Sequence, residues 1–262
     1  MQTDPVYGAY CKKVLLKTQL FSGLDEAVLD DMLTLFRRDT WRRGAQLDSE
    51  IFKERFYLII EGRLEVSRVN PDTGKSITLS LLGPGDAMDV MTLLNNGSHE
   101  ILPVAIDDIA LISVPIKDAR DWIDRHPEFN RNFLPYLGDQ MRKLEDLSTD
   151  LALYDTMTRL ARLILRHVVP HHSQSKEQAQ DDSVENSVKG PVYRLDLIND
   201  LHDESLARMV GSVRQVVNRH LQHWRKQGIL NRKDFKTQVI ELQALQTYAN
   251  DSSEHIQKNN AR

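Results

Sequence analysis

Apolar residues recur with two different periods along the chain, and the change of period marks out its elements. Between residues 12 and 38, Leu15, Leu16, Phe21, Leu24, Leu29, Met32, Leu33 and Phe36 return at three- and four-residue steps, which predicts helix with a break at Ser22-Gly23. From about residue 40 to 115 the pattern shortens. Residues 56–69 and 75–82 read as two strands around the turn cluster Asn70-Pro-Asp-Thr-Gly, a β-hairpin; Gly83-Pro-Gly-Asp marks another turn and residues 109–114 a closing strand. Short strands punctuated by Gly and Pro predict an antiparallel roll or barrel.

Helical spacing then resumes. A short helix over 118–126 is stopped by Pro127, and a long one runs from about 128 to 153. On it Leu137, Met141, Leu144, Leu147, Leu151 and Tyr154 are separated by 4, 3, 3, 4 and 3 residues, an average of 3.4, close to the coiled-coil period of about 3.5. Two readings stand: a helix–helix dimer seam, or a stripe packed on the chain's own β-roll. Asp155-Thr-Met-Thr predicts a new N-cap after a hinge at Tyr154–Asp155, with helix to Val169 ended by Pro170. Residues 171–190 are almost devoid of apolar side chains and read as a mobile loop. A strand at 192–197, helices at 203–210 and 213–226, a hairpin over 229–242 and a disordered tail over 251–262 complete the expected order.

Composition excludes several classes. The longest unbroken apolar run is the five residues Phe56 to Ile60, far short of the ~20 of a membrane span, so no membrane partner is expected. The start of the chain resembles no signal peptide, so a cytoplasmic protein is expected. Cys11 is the single cysteine, which rules out an internal disulfide, a four-cysteine zinc site and an iron–sulfur cluster held by cysteines alone; it reads as a packed thiol. His167, His171 and His172 could suggest zinc, but Pro170 interrupts their helix and no metal is expected. His99 and His126 are lone candidates for a haem ligand. No paired carboxylates, nucleophile motif or phosphate-binding glycine loop is present, so no catalytic residue is expected.

The net charge of −4 conceals a local excess: between Ser205 and Lys236 there are eight basic residues and one acidic residue, Asp234. Within that segment Ala207, Gly211 and Val217 have the spacing of a helix-turn-helix: a small contact residue, a turn residue and a core plug. Ser212 and Gln215 match a capping box for the second helix. Arg214, Gln215, Asn218 and Arg219 fall on one side of it, suited to base edges and phosphates. The competing reading is a helical hairpin with a solvated basic face.

These residues carry a resemblance. Over about residues 20–245 the chain resembles the cyclic-AMP receptor protein and fumarate–nitrate regulator superfamily of bacterial transcription factors. Ile59-Ile-Glu-Gly-Arg-Leu-Glu-Val and Thr73-Gly-Lys-Ser-Ile-Thr-Leu-Ser-Leu-Leu-Gly-Pro-Gly-Asp86 resemble its β-roll, residues 151–163 the end of its long helix, and residues 204–219 its DNA-binding motif. The resemblance implies an α+β protein: a double-stranded β-helix (jelly-roll-like) sensor domain over 1–127, a dimerisation helix over 128–154 and a winged helix-turn-helix over 155–250. Implied partners are a second copy of the chain, palindromic double-stranded DNA and RNA polymerase. Leu137, Met141, Leu144, Leu147 and Leu151 would line the dimer interface. Ser212, Arg214, Gln215, Asn218 and Arg219, with Lys233 and Lys236 on the wing, would contact DNA. Where the family often carries Glu to read a base this chain has Gln215, which favours adenine.

At the effector site the match departs from the cyclic-nucleotide binders. Asp89-Val90 replaces their Gly-Glu pair, and their phosphate arginine falls at or beside Glu100. Asp89, Val90, His99, Glu100, Leu144 and Glu145 are the pocket candidates, and carboxylates facing a cyclic phosphate argue against cyclic AMP. Three alternatives stay open: another effector, such as a different nucleotide or haem with a diatomic gas; activity without effector; or a β-roll module acting on a protein partner.

Overall fold

The computed structural model describes residues 5–95, 97, 99–170, 193–233 and 236–250. Two compact units divide the chain, Met1–Ser148 and Thr149–Arg262. The architecture is mixed α/β, with a β-sheet region in the first unit, long helices, and a helix-turn-helix region in the second.

The first unit opens with α1 (Pro5–Leu15) and α2 (Glu26–Leu35). The predicted break at Ser22-Gly23 proves wider, since residues 16–23 are turn and Asp25 starts α2 by accepting the Ala27 N–H at 2.8 Å. There follow β1 (Arg37–Trp41), α3 (Ile51–Glu54), β2 (Arg55–Glu61), β3 (Leu64–Val69), β4 (Ser76–Leu82), α4 (Val90–Asn95), β5 (Leu102–Ala105), β6 (Ile109–Pro115), α5 (Ile116–Arg125) and α6 (Pro127–Leu153). Two antiparallel three-stranded sheets result, ordered β1-β6-β2 and β4-β3-β5. The expected hairpin is β3–β4, its turn held by Asn70 Oδ1, which accepts the N–H groups of Asp72 and Thr73 at 3.0 Å each.

Burial explains why residues 56–60 form an unbroken apolar run. In β2, Phe56, Leu58 and Ile60 join the core beneath α1, α2 and α5, whereas Tyr57 and Ile59 join a second core with Leu64, Leu82 and Leu111. A strand buried on both faces has no polar side to alternate with. Phe129, Phe133 and Tyr136 anchor the first turns of α6 in the first of these cores.

The second unit contains α7 (Thr156–Arg166), β7 (Val168–Pro170), β8 (Tyr193–Leu195), α8 (Asp203–Met209), α9 (Arg214–Lys226), β9 (Leu230–Lys233), β10 (Lys236–Val239) and α10 (Leu242–Asn250). Asp155 caps α7 by accepting the Thr158 N–H at 2.8 Å. The helix expected to reach Val169 ends at Arg166, and Val168–Pro170 pairs with β8 instead. Two β-branched residues before a proline favour that extended backbone. The sheet order is β7-β8-β10-β9. Leu160, Ile164, Val217, Leu221, Trp224, Val239 and Leu245 are buried in this unit. The last turn of α6 belongs here: buried Asp150 accepts from Arg162 Nε and from Arg166 Nη2, both at 2.6 Å. The loop predicted at 171–190 and the tail predicted at 251–262 lie outside the described residues.

Candidate nucleic-acid interface and sensor site

The spacing read as a helix-turn-helix folds as one. Ala207 and Val217 are buried, and Gly211 takes the left-handed conformation at φ +59° that lets α8 turn into α9. Backbone bonds tie the turn, with Ser212 N donating to Ala207 O at 2.9 Å. The capping-box expectation is corrected here. The N-cap of α9 is Val213, which has no side-chain cap, and the Ser212 hydroxyl lies 3.4 Å from Thr156 Oγ1. A box needs its hydroxyl at the N-cap itself, and the turn places Ser212 one residue too early.

Arg214, Gln215 and Arg219 are exposed on α9, on the face set by i, i+1 and i+5 spacing. Asn218 is half-buried and spends its amide on Asp203 Oδ2 at 2.5 Å, so it braces α8 against α9 and does not share their exposure. The same helix carries exposed Gln222, His223 and Lys226. Val213, at the head of the helix, is 60% exposed, and no periodicity singled it out because it lies in the turn. His220 is half-buried, and burial together with Arg219 lowers its pKa. Burial and Arg232 likewise depress that of Arg225, which turns inward. Lys233 and Lys236 are paired across β9 and β10, with Lys236 exposed.

On α6, Leu137 packs against the first unit's own core, so the stripe is not uniform. Met141 and Leu144 are 71% and 48% exposed, and Leu147 and Leu151 are half-buried.

The six pocket candidates are spread over the start of α4, the segment before β5, and α6. Asp89 adopts φ +44°, and its carboxylate accepts from the Thr92 hydroxyl at 2.6 Å and lies 2.9 Å from His99 Nδ1. It therefore occupies the start of α4. Arg120, which carried no sequence signal, holds the other end by donating to Leu93 O at 2.8 Å and Thr92 O at 3.0 Å. Val90 packs on the core, and the Glu100 side chain is exposed while its carbonyl accepts from Arg68 Nε at 3.1 Å. Leu144 and Glu145 are exposed on α6. A cavity of about 750 Å³ does exist, but between α1, the Gly83–Asp86 turn and α6, and none of the six lines it.

Cys11 is fully buried beside Tyr7, and burial pushes its thiol pKa up to about 11. His126 Nδ1 lies 3.3 Å from Glu128 and His167 Nδ1 lies 3.1 Å from Leu163 O; His171 and His172 fall outside the described residues. Among the described residues, no group of three His, Cys, Asp or Glu could hold a metal, and no helix is long and apolar enough to cross a membrane.

A β-sheet sensor region and a basic helix-turn-helix define a DNA-binding regulator. Residues 158–248 match the Crp-like helix-turn-helix domain, and residues 50–126 the cyclic nucleotide-binding domain. The chain is 23% identical to the CRP-like cAMP-activated global transcriptional regulator of Mycobacterium tuberculosis over 217 residues, 82% of this chain and 89% of that one. It is 25% identical to the cyclic AMP receptor protein of Thermus thermophilus over 232 residues, 88% and 96% of the two chains. In fold it is similar to a CooA variant from Carboxydothermus hydrogenoformans (TM-score 0.65, 24% identity, 88% of this chain and 99% of that one). FixK2 from Bradyrhizobium japonicum is similar too (TM-score 0.62, 18% identity, 81% and 96%). Both matched regions show the chain to be homologous to the cyclic-AMP receptor protein and fumarate–nitrate regulators, a superfamily of DNA-binding transcriptional regulators.

Proposed function

We propose that the protein is a homodimeric, sequence-specific regulator that binds palindromic DNA, acts with RNA polymerase and does not respond to cyclic AMP. The observation that carries this reading is the head of α9: Arg214, Gln215 and Arg219 stand exposed beside a hairpin bearing Lys236. Arg pairs bidentately with guanine O6 and N7, and Gln with adenine N6 and N7. The hairpin β9–β10 serves as the wing, with Lys233 and Lys236 on phosphate. Val213 is an added base contact, since an apolar side chain at the helix start suits a thymine methyl group.

In this reading residues 1–127 are a jelly-roll sensor, 128–154 a dimerisation helix and 155–250 a winged helix-turn-helix. Exposed Met141 and Leu144 support a two-fold seam on α6, with Leu147 and Leu151 continuing it. Leu137 contributes to that seam only by its outer edge, because its own core already holds it. Against cyclic AMP stands Asp89, which places a carboxylate at the start of α4. That group, fastened to His99, leaves a cyclic phosphate facing like charge.

Selection from random duplexes at two salt concentrations tests the proposal. The expected product is an inverted repeat with half-site centres about one helical turn, roughly 34–36 Å, apart. Affinity should fall steeply with salt, as counterions released from phosphates require. Enrichment of a single unrepeated half-site would remove the dimer, and no enrichment would remove sequence-specific binding altogether.

A further inference from the structure

The cavity in the first unit lies apart from every residue expected to hold an effector, and its lining is chemically mixed. One wall is the end of α1 and the turn after it, with Lys13, Lys17 and Thr18; the other is α6, with Gln140 and Lys143; the floor is Gly85 and Asp86. The floor and first wall are tightly fitted. Gly85 has φ +92°, and a Cβ there would stand 2.2 Å from Thr18 Cγ2, so only glycine fits under this wall. The volume of about 750 Å³ falls within the roughly 300–1,000 Å³ of small-molecule sites.

Charge around the cavity is unevenly satisfied. Some cations of the unit have carboxylate partners, as Lys12 does with Glu26 and Asp30 and Arg63 with Asp107. Lys13, Lys17, Arg142 and Lys143, all lining the cavity, have no carboxylate within ion-pair distance among the described residues. Three carboxylates line the cavity with them: Asp86 takes the Gly83 N–H at 2.8 Å, Asp139 takes the Gln19 amide at 2.8 Å, and Asp146 stands on α6. Their remaining lone pairs suit hydroxyl donors, while the four cations suit an anion. Tyr136 and Val14 supply apolar surface between them.

We propose that this cavity between α1 and α6 binds an organic phosphate carrying free hydroxyl groups, a sugar phosphate or a nucleotide, with phosphate on the cations and hydroxyls on Asp86 and Asp139. The proposal deepens the sensor reading and rests on it only for its effect on transcription; binding itself is measured without DNA, so either can fail alone.

Isothermal titration of the full chain with ADP, glucose 6-phosphate and inorganic phosphate tests it. At least one organic phosphate should bind below about 1 mM and at least about tenfold more tightly than inorganic phosphate. Lys17→Glu and Lys143→Glu, both at exposed positions, should each weaken that binding by about tenfold or more, while Lys75→Glu on the β3–β4 turn leaves it unchanged. Gln140→Trp, which fills the cavity without changing its charge, should abolish it. Binding of neither organic phosphate, equal binding of all three ligands, a response to Lys75→Glu equal to that at Lys17, or retention of affinity in Gln140→Trp would each overturn the proposal.

Discussion

Two helix starts in this molecule handle negative charge in opposite ways. At α4 the chain provides its own anion: the Asp89 carboxylate is buried, accepts from Thr92 and is fastened to His99. At α9 the N-cap is Val213 with no side-chain cap, and the first residues, Arg214 and Gln215, are exposed. Every helix begins with N–H groups that need acceptors and with partial positive charge from its dipole. Filling those positions from within stabilises the fold and refuses a ligand. Leaving them open costs some stability and invites an external phosphate. The first unit has taken one course at α4 and the second unit the other at α9.

The comparison is most exposed to test at α9. Arg214→Ala should relax selection at one base pair per half-site, by about 1–3 kcal/mol of discrimination, with affinity for random DNA nearly intact. Selection from random duplexes measures this, and undiminished contrast at every position would mean that the open helix start is not the reader. At α4, Asp89→Asn keeps the shape and removes the charge. The side chain can still accept from Thr92 but loses its attraction to the helix start and to His99. Denaturation should show a loss of about 1 kcal/mol, within the span of cap deletions; an equal or greater stability would show that the buried carboxylate is a burden and not a cap. The smallest expected effect is none at all. Cyclic AMP should leave the melting temperature of the wild type unmoved, whereas a ligand present at 100 times its Kd would add about 2.7 kcal/mol. A clear upward shift would overturn the proposed indifference to cyclic AMP.

How much of this was legible in the sequence depends on how local each feature is. Ala207, Gly211 and Val217 act through a contact closed within eleven residues, so spacing alone located the motif, and the charge excess around it needed no structure. Ser212 misled because a cap depends on which residue leaves the helical conformation first, and the turn shifted that to Val213. Residues 56–60 announced a strand but not its two cores, since only the packing of β2 reveals that both faces are covered. Asp89 stood out in the sequence because Asp89-Val90 replaces the Gly-Glu pair of the cyclic-nucleotide binders. His99 was a pocket candidate as well, but their pairing depends on a loop that no period describes. Arg120 gave no signal because it acts on α4 from another helix, through backbone carbonyls that any sequence would supply. The cavity was invisible for the same reason, being closed by Thr18, Gly85 and Gln140 from three distant stretches.

The grip of Asp150 on Arg162 and Arg166 bears on how such a protein can be recombined. The ion pairs, with Tyr154 stacked beneath the Arg162 guanidinium at 4.7 Å, weld the final turn of α6 to α7. A transplant cut at Asp155, where the two helices visibly part, would sever the weld and strand two arginines without their acid. Cut before Thr149, the downstream piece carries its own stub of α6 with Asp150, Arg162 and Arg166 together. The natural seam for exchanging reader modules between proteins of this build therefore lies inside a continuous helix, about one turn upstream of the place where that helix ends.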